Sequence, residues 1–570
     1  MNQSSSTELK SLPESQQRII RGWCFYDWAN SAFATSAAVA ILPYYFVQLF
    51  EASSFGISSQ LGGFSITGSS LWALGVASST ALVAASSPIL GIMADKTPIK
   101  KRLLWIYTII GASFTVLSFF SSYIQEPWAW LIFCFFIANI GFAGGTVFYN
   151  AFLPHLAPRQ FMDEISSKGF AYGYIGGGLL LAIHLIVILL FTDTEHADLV
   201  TRLCIASVGV WWFGWALWTF KTVPEPILKT ISRISLTQNI TLAIRELKET
   251  TREILKFRVI VSYLIAYFLF NDGIQTILSV AGAFAADTLG VSLIFNMITI
   301  LVIQFIAAPG AIIFGKIAKA KTAKKALVST LILWCVVITF GVGIAPLAPE
   351  KPQDHDYLIR YQPTNQIYSV IKTPNLSNSD ADKPWTAIQE RLIQDDSIST
   401  TNLQTLIHTI ASSNESRFSL LVENGNLDGT QIVGIHHPSN LTEGLIDWWP
   451  LTLRNLIWQP LGISSNIQWL ILGVFVGLIM GGSQALARSI FASIIPLSMS
   501  GQFFGFFGLV SRVSAVFGPM LYLFVTGIFD TRVAVFAILI IILIGTFALR
   551  FVSVDDGTAI AQQEDKIRLT

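Results

Sequence analysis

The sequence predicts an all-α membrane protein: twelve transmembrane helices in two pseudo-symmetric six-helix bundles, with a small α+β insert on the extracytoplasmic side. Three observations carry this expectation. Of 570 residues, 53% are hydrophobic and only 12% are charged, about half the charged share of a soluble globular domain. The apolar residues gather into twelve segments, most of them long enough to cross roughly 30 Å of hydrocarbon at about 1.5 Å per residue. Polar marks in the first six segments recur, in order, in the second six. A soluble enzyme cannot cover its surface with so few charges, and a buried core explains one or two such runs rather than twelve. The net charge of +1 gives no reason to expect a nucleic acid partner.

The tail 1–22 is polar and lacks the basic start and short apolar core of a cleavable signal, so the first apolar run is a retained span. The spans lie near 24–50, 67–93, 103–122, 128–150, 168–191 and 201–220, then 258–285, 292–315, 325–347, 463–488, 502–529 and 533–552. This divides the chain into a first bundle at 23–221, a linker at 222–256 and a second bundle at 257–347 and 449–552, ending in a tail at 553–570. The linker holds RELKETTREILK, a charged helical stretch. Lys and Arg set the orientation. Lys10, Arg18 and Arg21 precede the first span, Lys96, Lys100, Lys101 and Arg102 follow the second, and Lys316, Lys319, Lys321, Lys324 and Lys325 follow the eighth. The short loops of the opposite face are almost free of them, so both termini are expected in the cytoplasm.

The remaining segment, 348–448, breaks the apolar pattern and is expected outside. Tyr357–Tyr361, Gln366–Ile371, Ser419–Glu423 and Gln431–Ile435 alternate like strands, while Trp385–Ile393 and Leu403–Ile410 read as helices. It is mildly acidic, has no cysteine, and carries sequons at Asn375, Asn414 and Asn440. Cys24, Cys134, Cys204 and Cys335 sit singly in apolar runs, which suggests packing rather than disulfides or metal. His436-His437 reads as surface, and no Gly-x-x-x-x-Gly-Lys-Ser/Thr loop for ATP is present.

The duplication is visible residue by residue. Tyr26-Asp27-Trp28-Ala29-Asn30 in the first span answers to Asn271-Asp272-Gly273-Ile274-Gln275 in the seventh. Gly91 to Asp95, ending at Lys100-Lys101, answers to Gly315 to Lys319, ending at Lys324-Lys325. Gly144-Gly145-Thr146 answers to Gly481-Gly482-Ser483, and glycines 169, 173 and 176 answer to 501, 505 and 508. Two halves of six spans joined by a cytoplasmic linker are the plan of the major facilitator superfamily, with a site between the halves near the midplane.

Longer motifs sharpen the likeness. They are Gly22-Trp23-x-x-Tyr26-Asp27-Trp28-Ala29-Asn30-Ser31, Tyr149-Asn150-Ala-Phe-Leu-Pro154, Gly173-Tyr174-Ile-Gly176-Gly177-Gly178, Asn271-Asp272-Gly273-x-Gln275-Thr276 and Gly481-Gly482-Ser483-Gln484-Ala485-Leu486-x-Arg488-Ser489. With these the chain resembles the vacuole-effluxer-like branch of that superfamily, the autophagy-protein-22-like transporters. The resemblance covers roughly 22–347 and 463–552 and leaves 348–448 as an insertion. It implies a twelve-span secondary transporter, and its fungal members are linked with amino acid export from the vacuole.

A charge within a span costs at least a few kcal/mol and needs a partner, so intramembrane charges mark the candidate site. Asp27 and Asn30 share a helix face, as do Tyr26 and Asn30, and Asn271, Asp272 and Gln275 repeat the arrangement. Both clusters are expected to face a central cavity, where Asp27 and Asp272 would bind a solute amine or a coupling proton and the amides would orient the solute. The plainer reading has Asp27 bonding backbone groups and locking helix packing. Arg512, the basic residue placed deepest, is expected to pair with one of these acids or to meet a substrate carboxylate. Tyr149, Asn150, Gln484 and Arg488 are expected at the cytoplasmic gate or inner cavity, Arg488 otherwise serving as an interface anchor. His184, Asn139 and Gln304 read as interhelical hydrogen-bonding groups. Gly91, Asp95, Lys96, Lys100, Lys101 and Arg102 resemble the superfamily's signature between spans two and three. That resemblance implies that Asp95 meets a helix N-terminus or an arginine of the other half and latches the outward-open state. Lys319 stands at the matching position of the second half.

The expected function is secondary active transport of a small polar solute, first an amino acid or related amine, by rocker-switch alternating access driven by a proton or cation gradient. No enzyme activity, cofactor or metal is expected. The bilayer and the solute are the expected partners, with a monomer in a bacterial cytoplasmic membrane. The competing reading is a receptor or assembly scaffold that binds a protein through 348–448.

Overall fold

The structure is a computed structural model. It describes residues 9–51, 53, 60–61, 64–65, 68–96, 98–191, 194–226, 252, 254–289, 291, 293–363, 366–374, 376, 383–413, 416–435, 437, 439–441 and 444–569. Most of the linker, His436 and the sequons at 375 and 414 lie outside them.

Twelve helices among the described residues are long and apolar enough to cross a membrane. The first bundle holds α1 (Glu14–Phe50), α2 (Gly68–Lys96), α3 (Lys100–Leu117), α4 (Pro127–Leu156), α5 (Met162–Phe191) and α6 (Ala197–Thr222). The second holds α7 (Arg258–Asp287), α8 (Leu293–Ala320), α9 (Ala323–Val342), α10 (Ser465–Ile494), α11 (Ser500–Ile528) and α12 (Thr531–Leu549). A further helix, α13 (Val554–Leu569), follows. Twelve helices in two sixes bear out the fold class. Several helices outrun their apolar segments at the end that carries the termini. There α4 continues to Leu156 and α10 to Ile494, because protein rather than lipid surrounds their polar residues. Two of the spanning helices start on a side-chain cap: the Asp530 carboxylate accepts from Val533 N at 2.8 Å, and the Thr322 hydroxyl from Lys325 N at 3.2 Å.

The bundles meet along α2–α11, α5–α8, α5–α10 and α4–α11. Small residues make this approach possible. At Gly91 an added Cβ would run into the Gly501 carbonyl of α11. Helix α1 widens into π-helical turns over Phe33–Ile41, a local irregularity often found where a helix borders a functional space.

The insert folds around its own core. Its strands are β1 (Tyr357–Gln362), β2 (Ile367–Lys372), β3 (Ser397–Ile398), β4 (Ser419–Glu423) and β5 (Gln431–Val433), in the order β3-β2-β1-β4-β5. Neighbours are antiparallel except β1 and β4, which run parallel across a crossover holding the helices Lys383–Leu392 and Thr400–Ser412. Tyr357, Ile359, Trp385, Leu403, Leu406, Leu420 and Val422 form the centre. The chain on either side of the insert is fastened to the second bundle. Gln468 exchanges hydrogen bonds with Ala345 at 3.1 and 3.0 Å, Trp449 donates to Thr339 O at 2.8 Å, and Arg532 donates to Ile344 O at 2.7 Å.

Candidate binding cavity

A cavity of about 500 Å³ lies between the bundles. Asp27, Asn30, Asn150, Asn271, Gln275, Gln484 and Arg488 line it with Gln304, among apolar walls that include Phe142, Phe170, Phe270 and Phe507. Helical geometry explains which half of each cluster points inward. On α1 the cavity face runs through Asp27, Asn30, Ser31 and Ala34, and Tyr26, about 100° back from Asp27, falls outside it. Tyr26 turns into the first bundle, where its hydroxyl meets Thr108 Oγ1 at 3.0 Å and its ring stacks on Tyr149 at 5.0 Å. In α7, Asn271 and Gln275, four apart, face the cavity, and Asp272 turns toward α11.

Asp27 is a bridging acid. Its Oδ2 accepts from the Tyr149 hydroxyl at 2.6 Å and from Arg488 Nη1 at 3.3 Å. Arg488 belongs to the second bundle, yet the first bundle receives its hydrogen bonds. Nη1 also reaches Asn150 Oδ1 at 3.3 Å, Nε reaches Ser166 Oγ at 2.9 Å, and Nη2 reaches Ser166 O at 2.9 Å. Its guanidinium lies 4.1 Å from the Phe170 ring centre and 5.0 Å from that of Trp23, a cation–π setting that favours arginine. The pair is nearly dry, with side-chain exposures of 6% for Arg488 and 13% for Asp27. Two opposite charges therefore stand on one cavity wall and tie the halves together.

Three expectations need correction. Among the described residues Arg512 pairs with no acid: it donates to Gly508 O at 3.0 Å and to Ala143 O at 2.6 Å. Asp272 does not line the cavity: its Oδ1 accepts from Gly518 N of α11 at 2.8 Å. Tyr26 is fully buried away from the space. Packing angle is the reason in each case, since a polar group off the cavity face must find its partners within the protein. Gln304 departs from its expected role in the other direction. It lines the cavity, and its Oε1 has no protein partner among the described residues. His184 does bond between helices, to Ser36 Oγ at 2.6 Å and Ser207 Oγ at 2.7 Å, and Asn139 does so to Ser79 Oγ at 2.8 Å.

Toward the end that carries the termini, hydrogen bonds join the halves. Asp95 accepts from Gly501 N at 2.9 Å and from Gln502 N at 2.7 Å, at the start of α11, and pairs with Lys100 at 2.8 Å. Lys100 also donates to Ser500 Oγ at 2.7 Å. Lys101 and Arg102 lie outside this knot, where the Lys101 amide donates to Glu225 at 2.7 Å and both residues border a shallow cleft with Trp105. Lys96 ends α2. Tyr174 donates to Gln484 Oε1 at 2.7 Å, Ser166 to Ala485 O at 2.8 Å, and Ser489 to Asp163 at 2.5 Å. Asp565 of α13 accepts from Leu497 N and Ser498 N at 2.9 and 3.0 Å and pairs with Arg159 of the first bundle at 3.4 Å. In the other direction the cavity wall runs up to Val39, which is 61% exposed.

The model of the Atg22-like vacuole effluxer family matches residues 15–348 and 441–562, which leaves out the insert's core. The chain belongs to the Atg22-like family. An uncharacterized MFS-type transporter, YxiO of Bacillus subtilis, is 25% identical over 96% of this chain and 97% of its own length. Autophagy-related protein 22 of Kluyveromyces lactis is 20% identical over 90% of this chain and 88% of its own. Among solved structures, the proton:xylose symporter XylE has a TM-score of 0.54 at 13% identity, covering 95% of both chains. FucP in its outward conformation has a TM-score of 0.52 at 11% identity, covering 95% of this chain and all of that one. These structures show the major facilitator fold. The Atg22-like chain is thus an integral, multi-pass membrane transporter of a small-molecule solute; the family and the fold are those of transporters rather than enzymes.

Several residues of this Atg22-like site escaped sequence reasoning. Ser166, Phe170 and Tyr174 recur every four residues on one face of α5, a pattern hidden by the surrounding glycines. Asp163, Arg159 and Asp565 look like ordinary loop or tail charges, and nothing in their spacing announces that they meet across the bundles.

Proposed function

We propose that this protein carries a small zwitterion, an amino acid or close relative, by rocker-switch alternating access, driven by a proton or cation gradient. The observation that carries the reading is the Asp27–Arg488 pair, which bridges the halves on the cavity wall. Pulling such a pair apart exposes two charges in a low-dielectric space, at a cost of several kcal/mol. A zwitterion removes that cost. Its ammonium replaces Arg488 at Asp27 and its carboxylate replaces Asp27 at Arg488, so every charge stays paired while the direct tie between halves is cut. A neutral sugar or a simple amine cannot do both.

With the termini in the cytoplasm, as the basic loops favour, the joined end faces inward and the conformation is open outward. Asp95 on α11, the Ser166–Arg488 cluster and the α13 clasp then form the inner gate. The asymmetry of the Gly91–Arg102 signature fits this reading: Asp95 and Lys100 hold the latch, while Lys101 and Arg102 mark the cytoplasmic interface. A monomer in a bacterial cytoplasmic membrane suffices, since both halves of the cavity come from one chain. The test is counterflow in proteoliposomes. Vesicles preloaded with unlabelled amino acids should take up radiolabelled ones, and xylose or putrescine should not compete.

A further inference from the structure

Asp272 is the second acid within the spans, and its surroundings differ from those of Asp27. It is 2% exposed. Its Oδ1 accepts the Gly518 N–H of α11 at 2.8 Å. Its own carbonyl accepts from Thr276 Oγ1 at 2.7 Å, one turn on. The neighbouring Asn271 binds α11 through Ser514 Oγ at 2.8 Å. Among the described residues, no cation faces Asp272 from the elements packed on α7. On α11, Arg512 is engaged by the Gly508 and Ala143 carbonyls. On α12, the residues beside Gly273 are Ile538 and Ile542, and Arg532 is held at the far end by Val342 and Ile344. On α10, Arg488 is bound to Asp27 and Ser166. On α8, Lys316 and Lys319 lie in the closing turns. The charges of α13 sit near Val259, about 20 Å along α7 from Asp272. On α7 itself the other titratable groups are Tyr263 and Tyr267, with Arg258 and Asp287 at its two ends.

The partner of Asp272 is a weak point in α11. Pro519 lies inside that helix, and an internal proline removes one backbone hydrogen bond and opens the turn before it. Gly518, immediately before it, is needed for the close approach: an added Cβ would run into Thr276 Oγ1 and lie 3.1 Å from Asp272 Oδ2. The carboxyl thus grips α11 at the turn where it bends most easily. An ionised carboxylate accepts a backbone N–H roughly twice as strongly as a neutral acid does. An unpaired carboxylate in hydrocarbon costs far more than the neutral acid does.

We infer that Asp272 is the coupling-proton site and that its ionisation sets the bend of α11 at Gly518–Pro519. This rests on the transport reading and assigns its coupling step. One proton from water on the open side converts the carboxylate to the acid, the hold on Gly518 loosens, and α11 is free to move as the halves rock. The same proton leaves to water on the other side, and the restored carboxylate regrips Gly518. Asp27, already paired with Arg488, is left to the solute.

Two measurements test this on the full-length protein. Infrared difference spectra across a pH titration should show a buried carboxylic acid C=O band that is absent from Asp272→Asn. If the band persists in that variant, the inference is overturned, whatever the solute proves to be. In proteoliposomes with a mixture of radiolabelled amino acids, Asp272→Asn keeps an acceptor for Gly518, so counterflow should continue while an imposed pH gradient no longer drives accumulation above free equilibration. Asp272→Ala, which lacks the acceptor, should lose both. Gradient-driven accumulation by Asp272→Asn contradicts the proposal, and so does wild-type accumulation that follows a sodium gradient at equal pH. A titrating band together with no amino acid movement in the wild type would instead overturn the solute assignment and leave the proton site standing.

Discussion

Asp95 and Gly501 meet across the two bundles: the Asp95 carboxylate accepts the Gly501 and Gln502 N–H groups that open α11. A helix N-terminus offers unpaired N–H donors and a partial positive charge, and Asp95 supplies both an acceptor and a negative charge. Gly91 lets the backbones approach closely enough for this.

Asp95→Ala should therefore shift the protein toward the state open at the end that carries the termini. Losing charge-assisted hydrogen bonds costs about 2 kcal/mol, roughly a thirtyfold change in the ratio of states. Ala485 is fully buried between the halves, and the four native cysteines are buried. Labelling of an Ala485→Cys reporter by a membrane-impermeant maleimide in inside-out vesicles should rise when Asp95→Ala is added, and an unchanged rate would remove Asp95 from the gate.

Removing one member of the Asp27–Arg488 pair should destabilise the protein more than removing both. Breaking a buried pair costs about 3–5 kcal/mol because a charge is left unpaired. Arg488→Gln alone should lower the melting temperature in detergent, and Asp27→Asn with Arg488→Gln should recover part of the loss. Additive losses would show that the two side chains do not act as a pair.

Gln304 lines the cavity, and its buried amide oxygen has no protein partner among the described residues. Gln304→Ala should raise KM by up to about tenfold, the worth of one hydrogen bond, with little effect on the melting temperature. A large stability loss without a KM change would return Gln304 to a packing role.

The insert should unfold in acid before the bundles do. Burial opposes ionisation of Asp356, but hydrogen bonds from His437 and from the Ser419 N–H and Oγ outweigh it and hold the carboxyl below its usual range. A depressed folded-state pKa stabilises above the unfolded value, about 3.9, and that stability is lost as pH falls through the lower folded value. Hydrogen exchange of β1 and β4 should lose protection below about pH 3.9, at higher pH in Ser419→Ala than in the wild type. Acid-independent protection would contradict this.

Replacing 356–440 with a short Gly-Ser linker should leave transport in place, because the insert has its own core and its flanking links are fastened to the second bundle. Loss of all flux from a folded variant would favour the scaffold reading.

The fold was legible because length and hydropathy decide it: twenty apolar residues have few stable homes outside a bilayer. The long strands of the insert announced themselves by alternation, whereas Ser397–Ile398 is too short to alternate at all. The site was legible in part. Asp27 stood out as a charge within a span, but its partner did not. Arg488 lies 461 residues away, and depth along a helix depends on packing that one sequence does not encode locally. Arg512 looked deeper and so looked the better partner. The same blindness to rotation placed Asp272 and Tyr26 in the cavity, when their helices present the neighbouring residues instead.

The central claim is that Asp27 and Arg488 receive a zwitterion between the halves. Counterflow of a radiolabelled amino acid mixture in proteoliposomes, compared between the wild type, Asp27→Asn and Arg488→Gln, tests it most directly. The account predicts exchange in the wild type, abolished by either variant while the folded protein still reconstitutes. Wild-type rates in both variants would contradict it.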